Sequence, residues 1–196
     1  MAEEKISKIL QIHLREFDKV KDEAIQRIGF RDNMIYVTLV AVGGVASFAA
    51  DSADRVYALL LIPWICLILG WMYIDNDAKI SAIGRYIQNH LAEEIRKQVG
   101  ADMPGTPILA WESFHRRERD RKYRKALQFI INEITFCVSG LAALEIFRRE
   151  SVDRLQTVEG YVWLAELCLV VGLGVLFLVL LFGDLRSKTH WIQPEV

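Results

Sequence analysis

Val56–Ile74 runs for 19 residues without a charge, and that run decides the class of fold. A helix of about 20 mainly apolar residues crosses a hydrocarbon core about 30 Å thick. Three further segments read the same way. Met34–Ala50 has 17 uncharged residues, Ala126–Phe147 has 22 and carries Glu133 and Glu145, and Tyr161–Phe182 has 22 with Glu166 near its start. Composition matters because of how it is distributed. The chain is 53% hydrophobic and 25% charged, and the two classes are segregated, which excludes a soluble globular core. The expectation is an all-α, polytopic membrane protein with four transmembrane helices in two hairpins and long cytosolic amphipathic helices.

The third span is the one the acids tax, since glutamate facing lipid is costly. Its rival is an amphipathic helix lying on the membrane surface. Charge bookkeeping favours the span. Of 24 Lys and Arg, 7 precede the first span, 11 lie between the second and third, and 2 follow the fourth. Only Arg55, Arg148, Arg149 and Arg154 fall on the other side. Cytoplasmic enrichment of basic residues then gives both termini inside and four crossings. The opening MAEEKISKIL is charged, so no cleavable signal peptide is expected. Cys66, Cys137 and Cys168 all lie in spans and read as small apolar residues.

The expected organisation is a cytosolic amphipathic helix (1–30), a transmembrane hairpin (31–75), a cytosolic helix (76–99), a hinge and basic segment (100–125), a second hairpin (126–183) and a cytosolic tail (184–196). In the first helix Ile6, Leu10, His13, Phe17, Val20 and Ala24 recur at alternating spacings of four and three, a heptad-like stripe. Gly29 stands between this helix and the first span as a candidate joint. In the second cytosolic helix Ile80, Ile83, Ile87, Leu91 and Ile95 form the stripe, and the helix continues the second span. Such stripes are packing faces, for each other or for a neighbouring subunit.

Residues 100–108 hold two Gly and two Pro and read as a hinge. The run His115–Lys125 comes next, with seven basic and two acidic residues. Arg116, Arg117, Arg119, Arg121, Lys122, Arg124 and Lys125 are candidates for contact with anionic lipid. The alternative is an anion site for a nucleotide or phosphorylated signal, although no Gly-rich phosphate loop accompanies them.

Shifting the sequence by 99 residues lays Phe30, Asn33, Ile35, Phe48 and Ser52 on Phe129, Asn132, Ile134, Phe147 and Ser151. With three inserted residues Cys66 and Gly70 fall on Cys168 and Gly172. Both hairpins would start inside, which makes this a candidate parallel repeat. The competing explanation is chance matching between apolar segments.

No catalytic constellation is legible. The four histidines lack ligand spacing, and P-loop, GxSxG and CxxC patterns are absent. The expectation is therefore no enzyme, no metal, no cofactor and no nucleic-acid polymer. The remaining candidates are intramembrane polar groups, because an ionisable residue in a span must face protein or water. Asn132 and Glu133 lie in the inner part of the third span. Glu166, in the outer part of the fourth, and Glu145 are placed near enough to the interface to be solvated. Glu133 either lines a water-filled path, pairs with a base such as Arg124, or fixes helix packing. Gly43, Gly44 and Ala46 make the first span small-faced, as Gly172 and Gly174 do the fourth, which suits close helix approach within a subunit or between subunits. Pro63 is a candidate kink, and Trp64, Trp71 and Tyr73 are interfacial or packing aromatics.

The strings RIGFRDNMIYVT (Arg27–Thr38), WICLILGW (Trp64–Trp71) and NDAKISAIGRYI (Asn76–Ile87) resemble those of small bacterial four-span membrane proteins. The architecture also resembles membrane effectors of anti-phage defence systems. That resemblance implies a homo-oligomer that breaches the inner membrane on a cytosolic signal, from a protein partner or a nucleotide. Such effectors often carry a soluble sensor domain, which is lacking here. A non-conducting anchor that recruits a cytosolic partner is the alternative.

Overall fold

A computed structural model describes residues 2–99, 121–151 and 158–186, and side-chain surroundings for 7–98, 123–151 and 158–183. Arg116, Arg117, Arg119, the 100–108 hinge and the 187–196 part of the tail lie outside the described residues. So do the side chains of Ile6, Arg121 and Lys122. All regular structure among the described residues is helical. Helix α1 is Ala2–Ala50; a 3₁₀ segment, Ala53–Leu60, leads into α2, Leu61–Tyr86. A π turn, Ile87–Leu91, joins α2 to α3, Ala92–Val99. Helix α4, Arg121–Asn132, passes through a second π turn, Glu133–Val138, into α5, Ser139–Glu150. Helix α6 is Val158–Arg186.

Four helices are long and apolar enough to cross a membrane: Ser7–Ala50, Ala53–Gln98, Tyr123–Glu150 and Val158–Gly183. This is the composition of a multi-pass membrane protein, and the third apolar segment belongs to the set. Their surfaces match. Val40 is 76% exposed and Ile68 58%, which suits side chains solvated by lipid rather than water.

Local chemistry explains where the helices turn. Ser52 adopts an extended backbone, and its hydroxyl accepts from the Asp54 N–H at 3.4 Å. That breaks α1 from the 3₁₀ segment, as a helix-capping serine does. Pro63 falls in the first turn of α2, where a missing N–H costs little. Gly29 lies inside the unbroken α1 and is no joint. In the second π turn Ile134 O receives both the backbone N–H and the hydroxyl of Ser139, the latter at 3.1 Å. The five-residue spacing of those bonds is what widens the turn.

The chain divides into two compact units. One, Met1–Arg31 with Asp75–Arg121, is a polar unit. In it Leu10, Phe17, Val20, Ile80 and Ile83 are half-buried, while Ile87 and Leu91 are buried. The two stripes belong to neighbouring helices of one chain. Arg31 pairs with Asp77 at 2.8 Å, Arg27 donates to Asn76 Oδ1 at 3.5 Å, and the Tyr86 hydroxyl donates to Glu16.

The other, Asp32–Ile74 with Lys122–Val196, is the membrane unit. Its core has two parts. Met34, Tyr73, Ile74, Phe136, Cys137, Val170, Leu173 and Phe177 form one. Ala49, Leu59, Ile62, Cys66, Ala143 and Phe147 form the other, with Trp163 against them. Phe136 stacks on Phe177 at 6.0 Å and meets Tyr73 at 5.7 Å. Close packing rests on two glycines. A Cβ on Gly70 would lie 2.9 Å from Leu173 Cδ2 and 3.3 Å from Phe136 Cγ, and one on Gly140 would lie 3.3 Å from Val170 Cγ2.

Candidate functional site

The polar groups buried in the membrane unit fall into two sets. The first gathers at the second π turn. Glu133 points its carboxylate at Gly174 on α6: a Cβ there would lie 3.3 Å from Glu133 Oε2 and 3.5 Å from Cys137 Sγ. Gly174 therefore clears the space the carboxylate uses. Among the described residues Glu133 Oε1 is buried without a hydrogen-bond partner, as is the Oδ1 of neighbouring Asn132, which is 5% exposed, although the Cys137 thiol hydrogen-bonds to the Glu133 carboxyl. A π turn inserts one residue into the helical ladder and re-aims the side chains beyond it, and such turns are frequent at functional sites. Glu133 opens this one. On α4, Gln128 Nε2 donates to the Tyr73 hydroxyl at 2.5 Å, and on α1 Thr38 turns its hydroxyl onto Met34 O at 2.7 Å. Both groups are satisfied, and the first ties α4 to α2.

The second set is Glu166 with two indoles. Trp64 Nε1 donates to Glu166 Oε1 at 2.8 Å, and Trp163 Nε1 donates to Leu144 O at 2.9 Å. The first bond ties α2 to α6 and the second ties α5 to α6. Glu166 is only 1% exposed, with Oε2 buried and unpartnered. This corrects its expected solvation: the 3.6-residue period of α6 turns position 166 inward, whatever its depth. Glu145 does match that description, since it is 39% exposed and held by Arg148 and Arg149 at 2.8 and 2.7 Å.

The small-residue positions divide. Gly174 packs as described, and Ala46 lies against the second core cluster. Cβ atoms on Gly43, Gly44 or Gly172 would meet nothing within 4 Å. Of the two roles expected for them, packing within the subunit is not seen among the described residues, where these faces point out of the bundle. Gly70 and Gly140 do that packing instead. Their signal was a glycine isolated within an apolar run, where the missing side chain needs a packing reason. Gln128 was legible only as a polar residue inside the third span. Arg124 and Lys125 each take part in an interaction, so neither stands as a free cation. No group of three or more His, Cys, Asp and Glu able to hold a metal ion occurs among the described residues.

Compared with protein-family models, with curated proteins and with solved structures, the chain matches none. The chemistry of the site bounds its use. Unpartnered acceptor oxygens in an apolar bundle are costly, and an assembly that brings them water, a cation or a donor from another copy would satisfy them.

Proposed function

We propose that this chain is an oligomeric inner-membrane effector, with both termini in the cytoplasm, that opens an ion-conducting path in response to a cytosolic signal or partner. The observation that carries the reading is the unpartnered oxygen of Glu133, buried at a π turn in a membrane-spanning helix. Ionisable groups in spans mark ion and proton pathways, and carboxylate rings select cations in pores. The open faces at Gly43, Gly44 and Gly172 support assembly into a homo-oligomer. The polar unit is the element on which a protein partner or nucleotide would act, and no catalytic step is assigned. A bacterial anti-phage setting fits this design and rests on resemblance alone.

The test is conductance. The purified full chain, incorporated in planar bilayers, is expected to give discrete current steps, and Glu133→Gln is expected to change their size or cation preference. Bilayers that keep bare-lipid conductance with folded protein inserted would overturn the reading. A second reading, a non-conducting anchor, is favoured by the closed pairing of Arg31 with Asp77 and Tyr86 with Glu16, which makes the polar unit a firm platform. Recovery of a stoichiometric cytosolic partner together with silent bilayers would establish it.

A further inference from the structure

Two of the buried oxygens without a hydrogen-bond partner fall on consecutive residues, Asn132 Oδ1 and Glu133 Oε1. Both are acceptors, so a second acceptor cannot satisfy either of them. The room left by Gly174 is taken up by the Glu133 carboxylate itself, and the Cys137 thiol, a weak donor, hydrogen-bonds to that carboxylate. Glu166 differs at this point, because the stronger indole N–H donor of Trp64 holds its Oε1 at 2.8 Å and its chain neighbours Ala165 and Leu167 offer no second side-chain oxygen. Among the described residues no cluster suited to a transition metal exists, and a single carboxylate supplies too little charge and too few ligands for calcium. A small monovalent cation needs less: one carboxylate, an amide oxygen and neighbouring carbonyl or water oxygens suffice.

We infer that Glu133 and Asn132, whose unpartnered oxygens lie on consecutive residues of one turn, form an intramembrane binding site for a monovalent cation. The inference rests on the channel reading and deepens it by naming its ion class and the position of its selective step, but binding is testable without conduction. Gly174→Ala leaves the fold nearly unchanged and pushes a Cβ to 3.3 Å from Glu133 Oε2, so it narrows the site from the opposite helix.

The experiment follows thermal unfolding of the full chain in nanodiscs as NaCl or KCl replaces choline chloride at constant ionic strength. A ligand that binds only the folded state raises stability in proportion to the logarithm of its concentration above Kd. The melting temperature of the parent is expected to rise with Na⁺ or K⁺ and not with choline. Glu133→Gln is expected to abolish the rise, Asn132→Leu to weaken it, and Gly174→Ala to shift its midpoint at least threefold. Glu166→Gln is expected to leave it intact. Equal melting curves in all three salts would overturn the inference, as would a salt response that survives in Glu133→Gln. A channel that conducts but shows no cation-dependent stability keeps the proposed function and removes this site; a cation response with silent bilayers does the reverse.

Discussion

The polar unit and the membrane unit treat charge in opposite ways. In the polar unit charges are many and paired: Arg27 with Glu23 at 2.6 Å, Arg31 with Asp77 at 2.8 Å, Lys79 with Asp75 at 2.5 Å, and Lys97 with both Glu93 and Glu94. Even the buried His13 Nδ1, which lacks a hydrogen bond, lies 3.6 Å from Glu16 Oε2. In the membrane unit buried charges are few, and Glu133 and Glu166 each keep an oxygen without a partner. Solvated pairs contribute little each, about 0.5 kcal/mol or less, so their number reflects solubility and orientation. A half-satisfied carboxyl in an apolar bundle is costly. The Trp64 indole offsets part of that cost at Glu166, and the Cys137 thiol part of it at Glu133.

The comparison can be broken at its strongest point first. Phe136 is fully buried among Tyr73, Phe177 and Gly70. Phe136→Ala should cost about 3 kcal/mol, read by reversible unfolding in mixed micelles; a loss below about 1 kcal/mol, on the scale of a single interhelical polar contact, would mean that the apolar core does not hold the spans together. Gly70→Val drives side-chain atoms into Leu173 and should cost about 2 kcal/mol, whereas Gly43→Val, which meets open space, should leave monomer stability unchanged. Equal effects at both glycines would erase the distinction between inward and outward small residues. Trp64→Phe removes the donor to Glu166 and should cost about 1 kcal/mol, the scale of an interhelical hydrogen bond in a membrane.

The smallest effect lies in the polar unit. The Lys97 ammonium beside Glu94 holds that carboxyl below its ordinary range, chiefly through their hydrogen bond. A depressed carboxyl stabilises above its unfolded pKa and loses that contribution as pH falls through the lowered value. Helicity should therefore stay flat from about pH 6 to 8 in both the parent and Lys97→Ala, with the parent slightly higher, and the two should converge as acid protonates Glu94. A difference that grows rather than fades in acid, seen by circular dichroism, would contradict this pairing.

Much of the fold was legible because membrane spans announce themselves by length and charge. The third segment declared itself through the basic residues on either side, although Glu133 and Glu145 weakened its hydropathy. The stripes of the polar unit were visible as heptad spacing, and the structure sets them on neighbouring helices of one chain. Depth misled the reading of Glu166, since nearness to a helix end says nothing of which face a residue occupies. The sequence shift that matched the hairpins pairs Cys66 with Cys168 and Phe48 with Phe147. One member of each pair is buried and the other exposed, so like residues stand in unlike surroundings. Both π turns were invisible, because no residue pattern prescribes a single widened turn.

The account stands or falls on Glu133. Its central claim is that this carboxylate serves ion passage and not packing, so the decisive measurement reads both on one substitution in one bilayer. Glu133→Gln, which keeps shape and removes charge, should leave unfolding stability in choline within about 1 kcal/mol of the parent while changing conductance or cation preference severalfold. A variant that unfolds more easily yet conducts as the parent does would contradict the claim and make Glu133 a packing residue.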